Sequence, residues 1–280
     1  MRTSRRLLAA PAMVALLGAL AACASTTPEV NAGSSAPVPS SKPSQALMTQ
    51  EPAAEPERVF LTAENIAQTI ADAQEKAGSY DFTMTVAADG YVIQGAGSAH
   101  MGAEPAVAMV LSSPDTGDVE IRVLAGQVYL NFGAMTGGKF VLVDPADTTS
   151  PLAGIAGGLA GQVDPTKAIA QTRAGIVAAT KAGPPEQIDG VLAQPYEVVI
   201  ELAKLPEEAL APFAEAEAAG IPLPAEIVYT YWLGPDDLLR KVTYDLLGAA
   251  TEMTFTNWGS GTAIQAPAAD EITTEDPFGT

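Results

Sequence analysis

The sequence predicts an α+β fold in a single domain, built on an antiparallel sheet. Three observations carry this. From Tyr80 onward, Tyr80, Phe82, Met84, Val86 and Ala88 alternate with Asp81, Thr83, Thr85, Ala87 and Asp89, the period of a half-buried strand. Asp89-Gly90 follows, a residue pair suited to a two-residue hairpin turn. More strand-like runs then come at short spacing with turn residues between them, which argues for a meander and against βαβ units.

Composition narrows the function classes. The chain has 280 residues, 48% of them hydrophobic and 17% charged, enough for a sizeable core. Its net charge of −19 excludes the clustered positive charge that nucleic-acid binding needs. One Cys forms no internal disulfide and no CxxC pair, and one His rules out multi-His metal sites. Nothing in the residues calls for a cofactor.

The N-terminus sets the compartment. Arg2, Arg5 and Arg6 precede an apolar stretch, Leu7 to Leu20, that is short for a membrane span. It ends in Leu20-Ala21-Ala22-Cys23, which resembles a bacterial lipobox. Residues 1–22 are therefore read as a lipoprotein signal peptide and Cys23 as the acylated first residue of the mature chain. Two or more acyl chains make a stable anchor, at about 0.8 kcal/mol per buried methylene. Residues 24–58 are rich in Ser, Thr, Pro and Ala and cannot bury enough surface to order themselves. They read as a tether spanning roughly 30–35 Å as a coil.

The folded body is expected over residues 59–267. Thr62 is a candidate N-cap for a helix whose Ile66, Ile70, Ala73 and Ala77 share one stripe before Gly78. After the Tyr80 strand come runs at Tyr91 to Ala99, Ala106 to Ser112, Asp118 to Leu124, Gln127 to Phe132 and Lys139 to Val143. Pro114 to Gly117, Ala125-Gly126 and Thr136 to Gly138 mark the turns. The middle reads as helical: a Gly/Ala run from Leu152 to Val163, then Asp164-Pro165 opening a helix with Ile169, Thr172 and Ile176 on one face. Gly183-Pro184-Pro185 stops it. Strands are expected again at Gln187 to Leu192 and Tyr196 to Leu202, then a short helix from Glu207 to Ala219. Three more strands follow, at Glu226 to Leu233, Leu239 to Leu246 and Ala250 to Trp258. Residues 268–280 read as a loose acidic tail.

Several stretches then resemble the LppX/LprG-type lipoproteins of actinobacteria and, more distantly, the LolA/LolB carriers. They are Val128-Tyr129-Leu130 with Gly138-Lys139-Phe140, and Glu186-Gln187-Ile188-Asp189-Gly190-Val191 leading to Tyr196. Tyr231-Trp232-Leu233 with Asp236, Leu239, Arg240 and Lys241, and Trp258-Gly259 with Ile264 and Pro267, complete the set. Together they span Thr62 to Pro267. The resemblance implies a strongly curved antiparallel sheet, a half-barrel, with helices on its concave face around an apolar cavity. It implies acylated membrane lipids or lipoglycans as cargo, an outer-face membrane location, an envelope transporter as partner, and no enzyme activity. The alternative is an accessory lipoprotein of an envelope complex that binds no lipid.

Candidate lining residues follow from the strand alternation: Phe82, Met84, Val86, Ile93, Val107, Met109, Leu111, Ile121, Val123, Val128 and Leu130. Such a face can hold acyl chains, with Met adapting to variable packing, or it can simply pack on the helices. Leu152, Gly154, Ile155, Gly158 and Leu159 are the candidate cavity flap, in a segment whose glycines weaken a helix by about 1 kcal/mol each. The other reading of that segment is a small-residue helix packed close to the sheet. His100 has no GxSxG partner motif and reads as a strand-end residue. Asp236-Asp237 and the other acidic pairs read as solvated charge.

Overall fold

The structure, a computed structural model, describes residues 60–115, 117–144, 152–161, 171–210, 213, 216 and 220–273. The signal peptide, Cys23 and the tether lie outside these, as do residues 274–280 of the tail. Helix α1 (Ile66–Ala77) opens the fold. Its N-cap position is Asn65, not Thr62. Residues 62–65 form a turn instead, in which the Thr62 N–H donates to Asn65 Oδ1 at 2.7 Å and the Ile66 N–H to Thr62 O at 3.0 Å. Gly78, left-handed at φ 76°, ends the helix and passes the chain directly into β1.

A first meander follows: β1 (Ser79–Ala88), β2 (Tyr91–His100), β3 (Ala106–Ser113), β4 (Gly117–Leu124), β5 (Gln127–Asn131) and β6 (Phe140–Val143). Helix α2 (Ala153–Gly161) comes next, then β7 (Ile176–Lys181), β8 (Glu186–Ile188), β9 (Val191–Glu201) and the short α3 (Glu207–Leu210). A second meander runs through β10 (Glu226–Leu233), β11 (Leu239–Leu246) and β12 (Ala249–Thr256), and β13 (Ile272–Thr273) ends the described chain. Asp89-Gly90 and Asp189-Gly190 both turn with positive φ at each residue, as two-residue hairpins require.

The thirteen strands form one strongly curved, unclosed sheet in the order β13-β6-β5-β4-β3-β2-β1-β12-β11-β10-β9-β7, with β8 also on β9. All pairs are antiparallel except β13 on β6. The two meanders meet where β1 pairs with β12, in register from Asp81↔Thr256 to Ala87↔Ala250. Curvature has a local cause in β2. A Cβ on Gly97 would stand 2.2 Å from Ala108 O and 2.8 Å from Met109 Cα, and one on Gly95 would meet Leu111 and Met84 side chains at 3.0 Å. Bare backbone on this face lets β3 and the long apolar side chains fold inward over β2.

Three expectations need correction. Residues 176–181 are a strand, not the end of a helix. Gly175 breaks the helix, since a Cβ there would lie 2.6 Å from Leu205 Cδ2 and 2.9 Å from Ile200 Cγ2, and the β-branched Ile176 and Thr180 pair onto β9, with the ladder shifting register at Val177. The run Gln187 to Leu192 is not one strand but a hairpin turning at Asp189-Gly190, and β9 continues unbroken from Val191 to Glu201. The tail is not loose where it is described, because Ile272 and Thr273 add to the sheet beside Phe140 and Val141.

After Trp258, which packs on Tyr80 and Phe255 of the core, the chain runs on as a strap bonded to Ser79, Asp81, His100 and Arg122. The Gly259 N–H donates to Ser79 O at 2.8 Å, His100 Nε2 to Thr262 O at 3.0 Å and Arg122 Nη1 to Gln265 O at 3.3 Å. Asp81 is the strap's anchor. Its buried carboxylate accepts from Ser98 Oγ at 2.6 Å, the Thr262 N–H at 2.7 Å and Asn257 Nδ2 at 2.8 Å. Burial alone would raise the Asp81 pKa, but these hydrogen bonds together outweigh it and hold the carboxyl below its ordinary value.

Two outcomes follow. Gly97→Ala drives a methyl into the β3 backbone and should cost about 3 kcal/mol, the upper part of the overpacking range, read from the urea midpoint. Asp81→Asn should cost about 1–3 kcal/mol at pH 7 by leaving donors unpaired. The native carboxyl titrates below its unfolded value, so its stabilisation is complete above about pH 4 and lost as pH falls further. The gap between the two proteins should therefore narrow at pH 3, measured the same way.

Candidate functional site

The registers place all eleven candidate lining residues on one face. Gly95, Gly97 and Ala99 of β2 oppose Leu111, Met109 and Val107 of β3. Those oppose Val119, Ile121 and Val123 of β4, and Ile121 and Val123 oppose Leu130 and Val128 of β5. On the other side, Phe82, Met84 and Val86 oppose Phe255, Met253 and Thr251 of β12. Ten of the eleven are buried in one apolar core, and Leu111 is half-buried against it. This face is already covered in the structure.

The same face continues into the second meander, which the sequence reading missed. Tyr196, Val198 and Ile200 of β9 oppose Tyr231, Tyr229 and Ile227 of β10, and Tyr231 and Tyr229 oppose Val242 and Tyr244 of β11. The alternation Ile227, Tyr229, Tyr231, Leu233 was the available signal. Tyr229 stands 4.8 Å from Tyr244 and 5.8 Å from Tyr231, ring centre to ring centre. Burial pushes all three phenols above their ordinary pKa, and for Tyr244 a hydrogen bond with Thr251 only partly opposes it. These hydroxyls stay protonated at any physiological pH and serve as neutral hydrogen-bonding groups on an otherwise apolar surface.

Helix α2 carries the candidate flap. Leu152, Ala156 and Leu159 lie at i, i+4 and i+7 and join the apolar core, packing against β5. Gly154, Gly157 and Gly158 are exposed, and a Cβ on any of them would meet nothing within 4 Å. The Gly154–Gly158 spacing therefore faces open space and brings no close backbone packing. Ile155 is helical, and its side chain lies outside the described residues. Among the described side chains, Leu152, Ala156 and Leu159 hold to the core a helix whose exposed glycines have the lowest helix propensity short of proline.

The remaining candidates are engaged elsewhere. His100 ends β2 and binds the strap through Thr262 O. Asp236 pairs with Arg240 across the β10–β11 turn, and Lys241 Nζ sits 4.0 Å over the Trp232 ring. A shallow open groove of about 580 Å³ lies chiefly on the opposite face, among Thr85, Thr230, Thr243 and Glu252. It includes none of the expected lining residues. Replacing Gly157 and Gly158 by Ala should raise helix stability by roughly 0.5–1 kcal/mol at each position without a clash, seen as a higher Tm.

No protein-family model matches the chain, and no curated protein matches it in sequence. Among solved structures, LprF from Mycobacterium bovis is similar at 18% identity and a TM-score of 0.48, over 74% of this chain and 97% of that one. LppX, a lipoprotein from Mycobacterium tuberculosis, is similar at 13% identity and a TM-score of 0.44, over 72% and 98%. MucB from Pseudomonas aeruginosa, solved with MucA, is similar at 14% identity and a TM-score of 0.36, over 74% and 59%. LprF and LppX are lipoproteins of the type that the sequence resembles.

Proposed function

We propose that the chain is a lipid-anchored protein of the outer face of a cell membrane that binds and carries acylated lipids or lipoglycans. The observation that supports this is the single apolar face shared by both meanders of a strongly curved sheet. Cys23 carries the anchor after residues 1–22 are removed, and residues 24–58 tether a lipid-binding domain that reaches at least to Thr273. No described helix is long and apolar enough to cross a membrane.

In this reading helix α2 is the moving part. Displacing Leu152, Ala156 and Leu159 uncovers Val128 and Leu130, and an acyl chain repays the exposure at about 0.8 kcal/mol per buried methylene. The tyrosines of the second meander meet the polar end of the cargo. Donation to an envelope transporter would complete the cycle.

The burial of ten lining residues favours a second reading, an accessory lipoprotein with a filled core and no cargo. One experiment separates the two. The Cys23→Ala protein, exported from an actinobacterial host, is weighed by native mass spectrometry and then extracted with solvent. Stoichiometric lipid with two or more chains is the expected result. A clean apo mass that persists after incubation with envelope lipids would sink the carrier and leave the accessory protein.

A further inference from the structure

We infer that Gln74 is the group by which this protein selects cargo carrying a hydrogen-bond donor, a free hydroxyl or amide N–H, beside its acyl chains. The inference rests on the carrier reading. Helix α1 buries Ile66, Ala67, Ile70 and Gln74, and the steps from 66 to 70 to 74 trace one stripe. Ile66 and Ile70 belong to the same apolar core as Phe82, Met84 and Met253. Period alone would put an apolar side chain at the third position, and Ala73 and Ala77 would have served the stripe.

Gln74 instead is only 3% exposed, and its Oε1 has no hydrogen-bond partner among the described residues. An amide oxygen buried without a donor destabilises the fold, so its presence in a core needs a reason. Among the described residues two other buried side-chain atoms lack partners, Trp232 Nε1 and Arg240 Nε. Their side chains are already used, Trp232 under Lys241 and Arg240 on Asp236. The Gln74 carbonyl oxygen has no such employment. A ligand taken into this core beside α1 would meet this unfilled acceptor in addition to the tyrosine hydroxyls of the second meander, and a carbonyl oxygen accepts only from a donor. Fully esterified lipids leave it unpaired, whereas a diacylglycerol-like hydroxyl satisfies it. Sites built to pair a substrate group reject analogues lacking it far better than apolar pockets discriminate by size.

The test uses two probes presented in the same micelles, 1,2-dioleoylglycerol and its 3-O-acetyl derivative, with binding read by native mass spectrometry. The delipidated wild-type protein should hold the free-hydroxyl lipid about tenfold more tightly, the scale of one buried hydrogen bond. Gln74→Met, close in volume, should bring the two affinities together and raise Tm. Equal affinity of the wild type for both probes overturns the inference while leaving the carrier intact. A Tm lowered in Gln74→Met also overturns it, since Gln74 would then be structural. Uptake of neither probe by the wild type overturns the carrier reading and this inference with it. The wild-type comparison stands even where the variant fails to fold.

Discussion

The pairing of β1 with β12 holds two meanders to one core. It joins residues about 170 positions apart, so its loop-closure entropy must be offset by what the seam itself buries. On the core side, Phe82 meets Phe255 and Met84 meets Met253, and all four are buried. On the opposite side, Thr83 and Thr254 share a hydroxyl hydrogen bond at 2.8 Å. Next to them Asp81 gathers β2, the end of β12 and the strap onto β1. Loosening this seam would leave each meander with an uncovered apolar face. Its contacts are among the longest-range in the chain, and such contacts form late because their entropy must be met before they reward it.

The elements most legible in the sequence are those whose two faces differ chemically. β1 reads at sight because Thr and Asp alternate with Phe and Met, and β10 to β12 read for the same reason. The eleven lining residues were reached by this logic alone, and the registers bring them onto one face. What could not be read depends on distant partners. Ile176–Lys181 looks helical because Ala-rich sequence follows a plausible N-cap. It is a strand because Gly175 must admit Leu205 and Ile200, residues some 25 positions later. The strap carries no period at all. Gly261, Thr262 and Gln265 are held through their own backbone groups by the side chains of Ser79, Asp81 and Arg122, so nothing local announces them. The tyrosine half of the apolar face is harder to read because β10 also carries Val228 and Trp232 on its other face, which blurs the chemical contrast between its two sides.

Helix α2 shows how the fold sets where it can open. Helix α1, which also covers the core, has a capped C-terminus continuous with β1. Among its described side chains α2 turns Gly154, Gly157 and Gly158 outward and Leu152, Ala156 and Leu159 into the core, a composition that lowers the cost of its local unfolding. A carrier needs one such element, weak enough to leave and apolar enough to return.

Charge constrains where that opening can operate. Removal of residues 1–22, as proposed, would take away Arg2, Arg5 and Arg6 and no acid, leaving a chain more negative still than −19. An anionic leaflet repels such a body, and the force reaches only about a Debye length, near 8 Å at physiological salt. Net repulsion disfavours adhesion of the body itself, and in the proposed reading an anchor at Cys23 keeps the domain local. As a tether, residues 24–58 would let the domain stand beyond the repulsive layer yet return to the surface. Cargo exchange in the proposed carrier would then depend on brief approaches in which an apolar chain finds the uncovered face. Repulsion of the body and attraction of the chain oppose each other there, and the second grows with every methylene transferred while the first does not.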